Sequence, residues 1–168
     1  MSSLQSFIDR ISKLPERIGE MPRMTVGNPQ EQLEQFPQSW SLVEELHAFA
    51  FSLDQVVEAP TRIAPPGSRA LTLGQHDAVR NRDAFLIDNE FAHIHNPPIG
   101  SMHLTLPRPL RELAMARRWV LPHPLAGKHG FTPDNVFAFA PRNESEVEVA
   151  KLLLSASHAY ALGRMSMG

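Results

Sequence analysis

Two short strand patterns joined by a turn rich in proline and glycine constrain the fold of this chain most strongly. Residues 90–95 (EFAHIH) and 102–106 (MHLTL) have the pattern of strands, and NPPIGS between them is typical of a hairpin connection. Residues 68–73 (SRALTL) and 136–140 (VFAFA) also indicate strands. We therefore expect a strand meander that forms a mostly antiparallel sheet.

Helical patterns stand before and after these strands. Apolar residues at a spacing of three to four predict a first helix over residues 4–13, capped by Ser2 or Ser3. The sequence also predicts helices over residues 41–51 and 109–119, and a last one that begins at Asn143. Because helices and strands occur in separate runs, the expected fold class is α+β. It is a mostly antiparallel sheet packed with N-terminal and C-terminal helices in a single domain.

A proline-rich stretch follows the first predicted helix. Residues 20–40 contain three prolines among Gln, Glu and Gly residues, which is typical of a linker or arm. We therefore divide the chain into an N-terminal helical segment with a Pro-rich arm, residues 1–58, and an α+β domain, residues 59–168. If the chain were a structural or interaction protein, this arm would pack around another subunit. A homodimer is our expectation, although no motif specifies it.

Charge and composition exclude several classes of function. The net charge is −2 and 20% of the residues are charged, which excludes a basic nucleic-acid-binding surface and a polybasic membrane anchor. The chain has no apolar run of the roughly 18 residues that span a membrane. The N-terminus lacks the unbroken apolar stretch of a signal peptide, so we expect a cytoplasmic protein with no nucleic-acid or membrane partner. The absence of cysteine excludes disulfides, thiol catalysis and Cys-ligated metal sites.

Histidines are concentrated in and after the hairpin: five of the eight fall between positions 93 and 129. Side chains alternate along a strand, so His93 and His95 share one face. If the seven residues between His95 and His103 form the loop, these two histidines oppose each other, and Thr105 opposes His93. All three imidazoles then share one face, and opposed Cβ atoms lie about 4.5–5.5 Å apart, within reach of one metal ion.

Three imidazoles are a familiar ligand set for a catalytic metal ion with an open position. No thiolate is available, so one divalent zinc, iron, copper, nickel or manganese ion would fit. We therefore predict His93, His95 and His103 as metal ligands. Two alternatives stay open. The same face would serve without metal as an acid–base or ligand-binding site, or the histidines would be structural, on a solvated face or in a hydrogen-bonded groove.

Two further residues are candidates for catalysis close to this face. Glu90 belongs to the opposite face of a regular strand, but a bulge at residues 88–89 would return it to the histidines as a ligand, an orienting group or a base. His123 stands between two prolines in a loop with two glycines, PHPLAGKHG, which is a suitable place for function. The alternative for His123 is an anchor whose imidazole bonds a backbone carbonyl.

Arg142 is the third catalytic candidate. It follows the strand VFAFA and precedes the last helix, where it would bind an anionic group near the helix N-terminus. The alternative is an ion pair with Glu144 or Glu146. The remaining isolated histidines fit surface or core positions: His47, His76 and His158.

Taken together, the motifs EFAHIH at 90–95, HPLAG at 123–127 and FAPR at 139–142 resemble the small luciferase-domain family, over about residues 60–162. The turn after EFAHIH is about two residues longer than the family pattern, which keeps the parity that places the histidines on one face. The resemblance implies oxidation of a small organic molecule. The positions that match the family pattern are Glu90, His93, His95, His103, His123 and Arg142.

We therefore expect an enzyme that acts on a small organic substrate at the histidine face. The expected reaction is a metal-dependent oxidation or oxygenation, in which Glu90 or His123 moves protons. The alternatives are a metal-free acid–base enzyme of the isomerase, cyclase or lyase type, and a non-catalytic protein that binds a small ligand.

Overall fold

The computed structural model describes residues 4–74 and 80–165, which form a sheet flanked by helices. The helices are α1 (Leu4–Ser12), α2 (Ser41–Ser52), α3 (Arg108–Ala116) and α4 (Glu144–Ala161), with one 3-10 turn at Arg82–Ala84. The strands are β1 (Val56–Ala59), β2 (Arg69–Leu73), β3 (Glu90–Ile94), β4 (Met102–Thr105), β5 (Val120–Pro122) and β6 (Asn135–Ala138). The predicted cap at Ser2 or Ser3 and the lone His76 lie outside the described residues.

The six strands form one open sheet in the order β1-β2-β3-β4-β6-β5. Every neighbouring pair is antiparallel, so the predicted α+β class with a mostly antiparallel sheet is confirmed. Within the described parts of the chain, no helix combines the length and the apolar character that crossing a bilayer requires.

One face of the sheet is covered by helices and forms the main core. Helix α4 packs against β3, β4 and α2, and α1 packs against α3. From the central hairpin, Ala92, Ile94 and Leu104 belong to this core and are fully buried. Because side chains alternate along a strand, His93 and His103 point to the opposite face.

The pairing of β3 with β4 corrects one prediction. His93, and not His95, lies opposite His103. The turn is shorter than seven residues because His95 also joins the ladder, where its backbone N–H donates to Ser101 O at 2.8 Å. The predicted pairing of Thr105 with His93 is therefore wrong as well. The shift is two residues, an even number, so the three histidines still share one face.

The Pro-rich arm, residues 20–40, folds back on itself and lies against the sheet. Met24 and Gln32 form an isolated antiparallel bridge. The side chain of Gln30 donates to the backbone oxygen of Pro122 in β5, and Gln32 Oε1 accepts the N–H of Ala140 just after β6. These contacts bring the arm to the face that carries the histidines. The division of the chain at residue 58 stays a prediction.

Candidate functional site

Three histidines of the central hairpin meet on the face of the sheet opposite the helical layer. His93 and His103 are cross-strand partners of β3 and β4, and His95 follows β3 by one residue. All three side chains are buried, with exposed fractions of 2%, 3% and 7% for His93, His95 and His103. We call them the histidine triad.

The triad directs one ring nitrogen of each histidine to a common point. His103 Nδ1 lies 3.2 Å from His93 Nε2 and 3.3 Å from His95 Nε2. A tetrahedral ion with ligand nitrogens at about 2.0–2.1 Å holds those nitrogens about 3.3–3.4 Å apart. The spacing therefore fits three ligands of one ion. Among the described residues, the triad is the group of His, Asp or Glu side chains whose donor atoms lie close enough together to bind one ion.

The second nitrogen of each imidazole, which points away from the common centre, faces a polar group. His95 Nδ1 lies 2.7 Å from Ser101 Oγ, and His103 Nε2 lies 3.0 Å from Gln30 Oε1. His93 Nδ1 lies 3.5 Å from Glu90 Oε1, too far for a good hydrogen bond. Partners in these positions orient metal-binding imidazoles and select their tautomers.

Burial favours the neutral form of two triad members, His95 and His103. Burial, with a smaller contribution from neighbouring His93, lowers the pKa of His95 to about 3. Burial also lowers the pKa of His103 well below its ordinary value, with further contributions from the other histidines around it. Neutral imidazoles are the form that binds metal, because each has a free lone pair on one nitrogen.

A β-bulge turns Glu90 toward the triad. Ala92 pairs with Leu71 of β2, but Glu90 pairs with Thr72, the next residue of that strand. Phe91 is therefore an extra residue in β3, and it shifts Glu90 by one position relative to a regular strand. The bulge was expected at residues 88–89, which form a tight turn into β3 instead.

Glu90 occupies this position without a good partner for one carboxylate oxygen. The residue is 4% exposed, and Glu90 Oε1 has no hydrogen bond from the described residues. The same holds for His93 Nδ1, which faces it. Two buried polar atoms left 3.5 Å apart are costly, and a small closing movement would join them in a hydrogen bond.

His123 lies beside the triad, in the loop that follows β5. Its ring centroid is 5.3 Å from that of His103, and it stacks on Phe131 at 5.0 Å with an interplanar angle of 17°. Its Nδ1 accepts the N–H of Leu125 at 3.0 Å, so this ring nitrogen contacts a backbone amide and not the backbone carbonyl of the alternative role. Burial, and then His93, lowers the pKa of His123, which leaves a neutral ring with its hydrogen on Nε2.

Arg142 lies apart from the triad and forms the ion pair that was its alternative role. Its Nη2 donates to Glu146 Oε2 at 2.6 Å and its Nε donates to Glu146 Oε1 at 2.8 Å. Burial acts to raise the pKa of Glu146, but the hydrogen bonds and charge of Arg142 outweigh it and lower that pKa. Arg142 lines a different cavity, next to Trp119, and not the one above the triad.

A cavity of about 260 Å³ opens above the triad. Its walls come from three parts of the chain besides the triad: the arm, the segment before β2, and the loop and strand after β5. These wall residues are Asn28, Pro29, Gln30, Glu31, Ile63, Pro65, His123, Phe131 and Asn135. Asn135 is 4% exposed, and its Oδ1 has no hydrogen-bond partner among the described residues. It is a buried acceptor without a partner in the cavity wall.

Gln30, Ser101 and Asn135 are site residues that the sequence analysis missed. Ser101 precedes β4 in the hairpin itself, so the pairing register would have placed it beside His95. Gln30 is 73 positions from His103, and no local pattern connects the two.

Comparison with known proteins finds similarity in the second half of the chain. Residues 88–157 match the family model described as "Luciferase domain". A luciferase of Armillaria ostoyae is 29% identical over 169 residues, which cover 88% of this chain and 60% of the relative. A luciferase of Neonothopanus nambi is 32% identical over 97 residues, 56% of this chain and 34% of the relative. No solved structure gives a significant match.

The relatives are longer than this chain. The chain spans about 60% of the length of the Armillaria luciferases, including that of Armillaria gallica, which is 28% identical with the same coverage. The matched segment of the family model contains the whole histidine triad, Glu90 and His123.

Proposed function

We propose that this chain is an enzyme that oxidises or oxygenates a small organic molecule. The match of residues 88–157 confirms the resemblance to the luciferase-domain family, and this resemblance supports the proposal. The histidine triad holds one divalent transition-metal ion, the cavity above it holds the substrate, and dioxygen is the oxidant. The proposal concerns this chain, and the light-emitting reaction implied by the relatives' name is not part of it.

The convergence of three lone-pair nitrogens carries this proposal. Their separations of 3.2 and 3.3 Å match the edges of a metal coordination shell. If each outer nitrogen carries the hydrogen, as the acceptors Gln30 and Glu90 favour, the inner nitrogens face one another with lone pairs only. A cation at their centre turns this repulsion into attraction.

The chemistry of the site follows from which groups surround it. His93, His95 and His103 would hold the metal ion, and when bound it would supply a Lewis-acidic centre beside the cavity. His123 Nε2 carries a hydrogen at the cavity wall and is placed to donate it to a substrate oxygen. Asn135 Oδ1 accepts a hydrogen bond from the substrate, and Pro29, Ile63 and Phe131 supply apolar surface in the cavity wall.

A metal-free acid–base reaction is the second candidate. The neutral ring of His123 would be an acid in the cavity wall, and the unpartnered oxygen of Glu90 would be a base that acts through His93, which lines the cavity. A protein that binds a small ligand without turnover would use the same cavity. Both alternatives predict that removal of metal leaves ligand binding unchanged.

Elemental analysis of the untagged protein, purified without chelator or nickel resin, tests the proposal. We expect one transition-metal ion per chain, lost in His95→Ala and kept in His129→Ala, which removes an exposed histidine outside the triad. Both variants should retain the circular dichroism of the native fold. Absence of metal in the native protein, together with failure to take up added Zn²⁺, Fe²⁺ or Co²⁺, would overturn the metal site and favour the acid–base reaction.

A further inference from the structure

One contact of the triad comes from outside the segment that matches the luciferase domain. Gln30 belongs to the arm and is 7% exposed. Its Oε1 lies 3.0 Å from His103 Nε2. A residue far away in sequence thus makes a direct hydrogen bond to the central imidazole of the triad.

The orientation of the Gln30 amide is fixed by its other end. Gln30 Nε2 lies 3.2 Å from the backbone oxygen of Pro122, which only accepts hydrogen bonds. The amide nitrogen must therefore face Pro122, and the amide oxygen must face His103. An exchange of the two amide atoms would place two acceptors together at Pro122.

The orientation of the amide determines the tautomer of His103. An amide oxygen only accepts, so the hydrogen of the neutral His103 ring must be on Nε2. We infer that Gln30 is a positioning residue that fixes His103 as the Nε2–H tautomer and so leaves the lone pair of Nδ1 directed at His93 and His95. In the other tautomer, a hydrogen on Nδ1 would occupy the centre of the triad.

The arm holds Gln30 from both sides. Thr25 Oγ1 donates to Pro29 O at 2.7 Å and accepts the N–H of Glu31 at 2.8 Å. One residue further on, Gln32 Oε1 accepts the N–H of Ala140 at 3.0 Å. Because backbone contacts flank Gln30, its amide reaches His103 from a fixed base.

The consequence for metal binding rests on the proposed function. A group that accepts the outer hydrogen of a metal-binding histidine orients the ring and makes it a better ligand, and its removal typically weakens metal binding about 10–100-fold. We therefore expect Gln30→Leu to weaken metal binding by that factor. Gln30→Glu keeps an acceptor for His103 but sets an oxygen against Pro122 O, so we expect it to lose less affinity than Gln30→Leu.

Nuclear magnetic resonance of the metal-free protein tests the tautomer without any assumption about metal. Long-range ¹H–¹⁵N spectra of ¹⁵N-histidine-labelled protein distinguish Nδ1–H from Nε2–H rings, and His103→Gln assigns the His103 signals. We expect a single Nε2–H tautomer in the native protein and a mixture of tautomers in Gln30→Leu. A native ring with Nδ1–H, or a Gln30→Leu variant that keeps the pure Nε2–H form, would overturn the inference.

Metal titration of the same variants tests the consequence. Thr25→Val is the control, since it weakens the arm without touching a histidine. With Co²⁺ as the probe, we expect the weakest binding in Gln30→Leu, a smaller loss in Gln30→Glu, and near-native binding and absorption spectra in Thr25→Val. Equal losses in all three variants would mean that Gln30 acts only through arm docking, which contradicts a positioning role. If no variant and no native sample binds metal, the proposed function fails while the tautomer result stands by itself.

Discussion

Glu90 and His93 lie on the same side of the sheet, with Glu90 Oε1 3.5 Å from His93 Nδ1. Three positions separate them along β3, and in a regular strand that odd separation gives opposite faces. The extra residue Phe91 cancels the alternation and returns Glu90 to the triad. A one-residue irregularity in the backbone thus supplies the carboxylate behind the first imidazole, as Ser101 and Gln30 stand behind the other two.

Replacement of Glu90 by alanine is expected to weaken metal binding. The carboxylate faces the outer nitrogen of His93, and loss of such a partner typically costs about 10–100-fold in metal affinity. Competition with a chromophoric chelator measures the change. Glu112→Ala removes an exposed glutamate of α3 and should leave the affinity unchanged. Equal affinities for native protein and Glu90→Ala would show that Glu90 does not support His93.

The triad was predictable because the separations between the three histidines along the sequence are even, which places their side chains on one face. The exact pairing register was not needed. The sequence predicted His95 opposite His103, whereas His93 occupies that place. Any even shift keeps all three side chains on one face, so the cluster survived a wrong register. Turn length could not be derived from NPPIGS, because a residue at a strand end can belong either to the turn or to the ladder.

Elements that depend on long-range contacts were less predictable. The edge strands β1 and β5 are only four and three residues long, and β5 ends in Pro122, so neither has an alternating pattern to detect. The bulge at Phe91 depends on the pairing of β3 with β2. Gln30 reaches His103 only because the arm docks on the sheet, and its neighbouring sequence resembles an ordinary polar linker.

Substitution of Gly100 tests the hairpin turn. Gly100 has a φ of +75°. A Cβ there would lie 2.6 Å from Cγ2 of Val43, a residue of α2 whose side chain belongs to the core. Gly27 has the same φ of +75° with nothing within 4 Å, so Gly27→Ala carries the backbone strain without the clash. We expect Gly100→Ala to be less stable than Gly27→Ala by roughly 1–3 kcal/mol, the usual cost of overpacking a core. Urea denaturation measures both, and equal losses would contradict the packing of the turn on α2.

Acid is expected to destabilise the metal-free protein. The pKa of His95 falls to about 3 on burial, so the unfolded chain binds a proton below its ordinary pKa of about 6.5 while the folded chain does not. The contribution of each such histidine to the free energy of unfolding is therefore fully present above pH about 6.5. It is lost as the pH falls toward 3, by up to about 1.4 kcal/mol per pH unit. His103 contributes in the same direction.

Urea denaturation between pH 7 and pH 5, with chelator present, measures this dependence. His95→Asn should reduce the slope of the free energy of unfolding against pH by about the share of one proton. A native protein whose stability does not change over this range would show that the imidazoles are not held neutral by burial.

Arg142 and Glu146 are expected to affect stability and not the triad. Arg142→Leu leaves the buried carboxylate of Glu146 without its bidentate partner, a loss of roughly 2–4 kcal/mol in the free energy of unfolding. Glu146→Gln should lose less, because an amide keeps a hydrogen bond to Arg142 and removes a buried charge. Both variants should bind metal with native affinity, since Arg142 lines a separate cavity. Native stability with impaired metal binding or turnover in Arg142→Leu would instead assign Arg142 the catalytic role that its position before the last helix suggests.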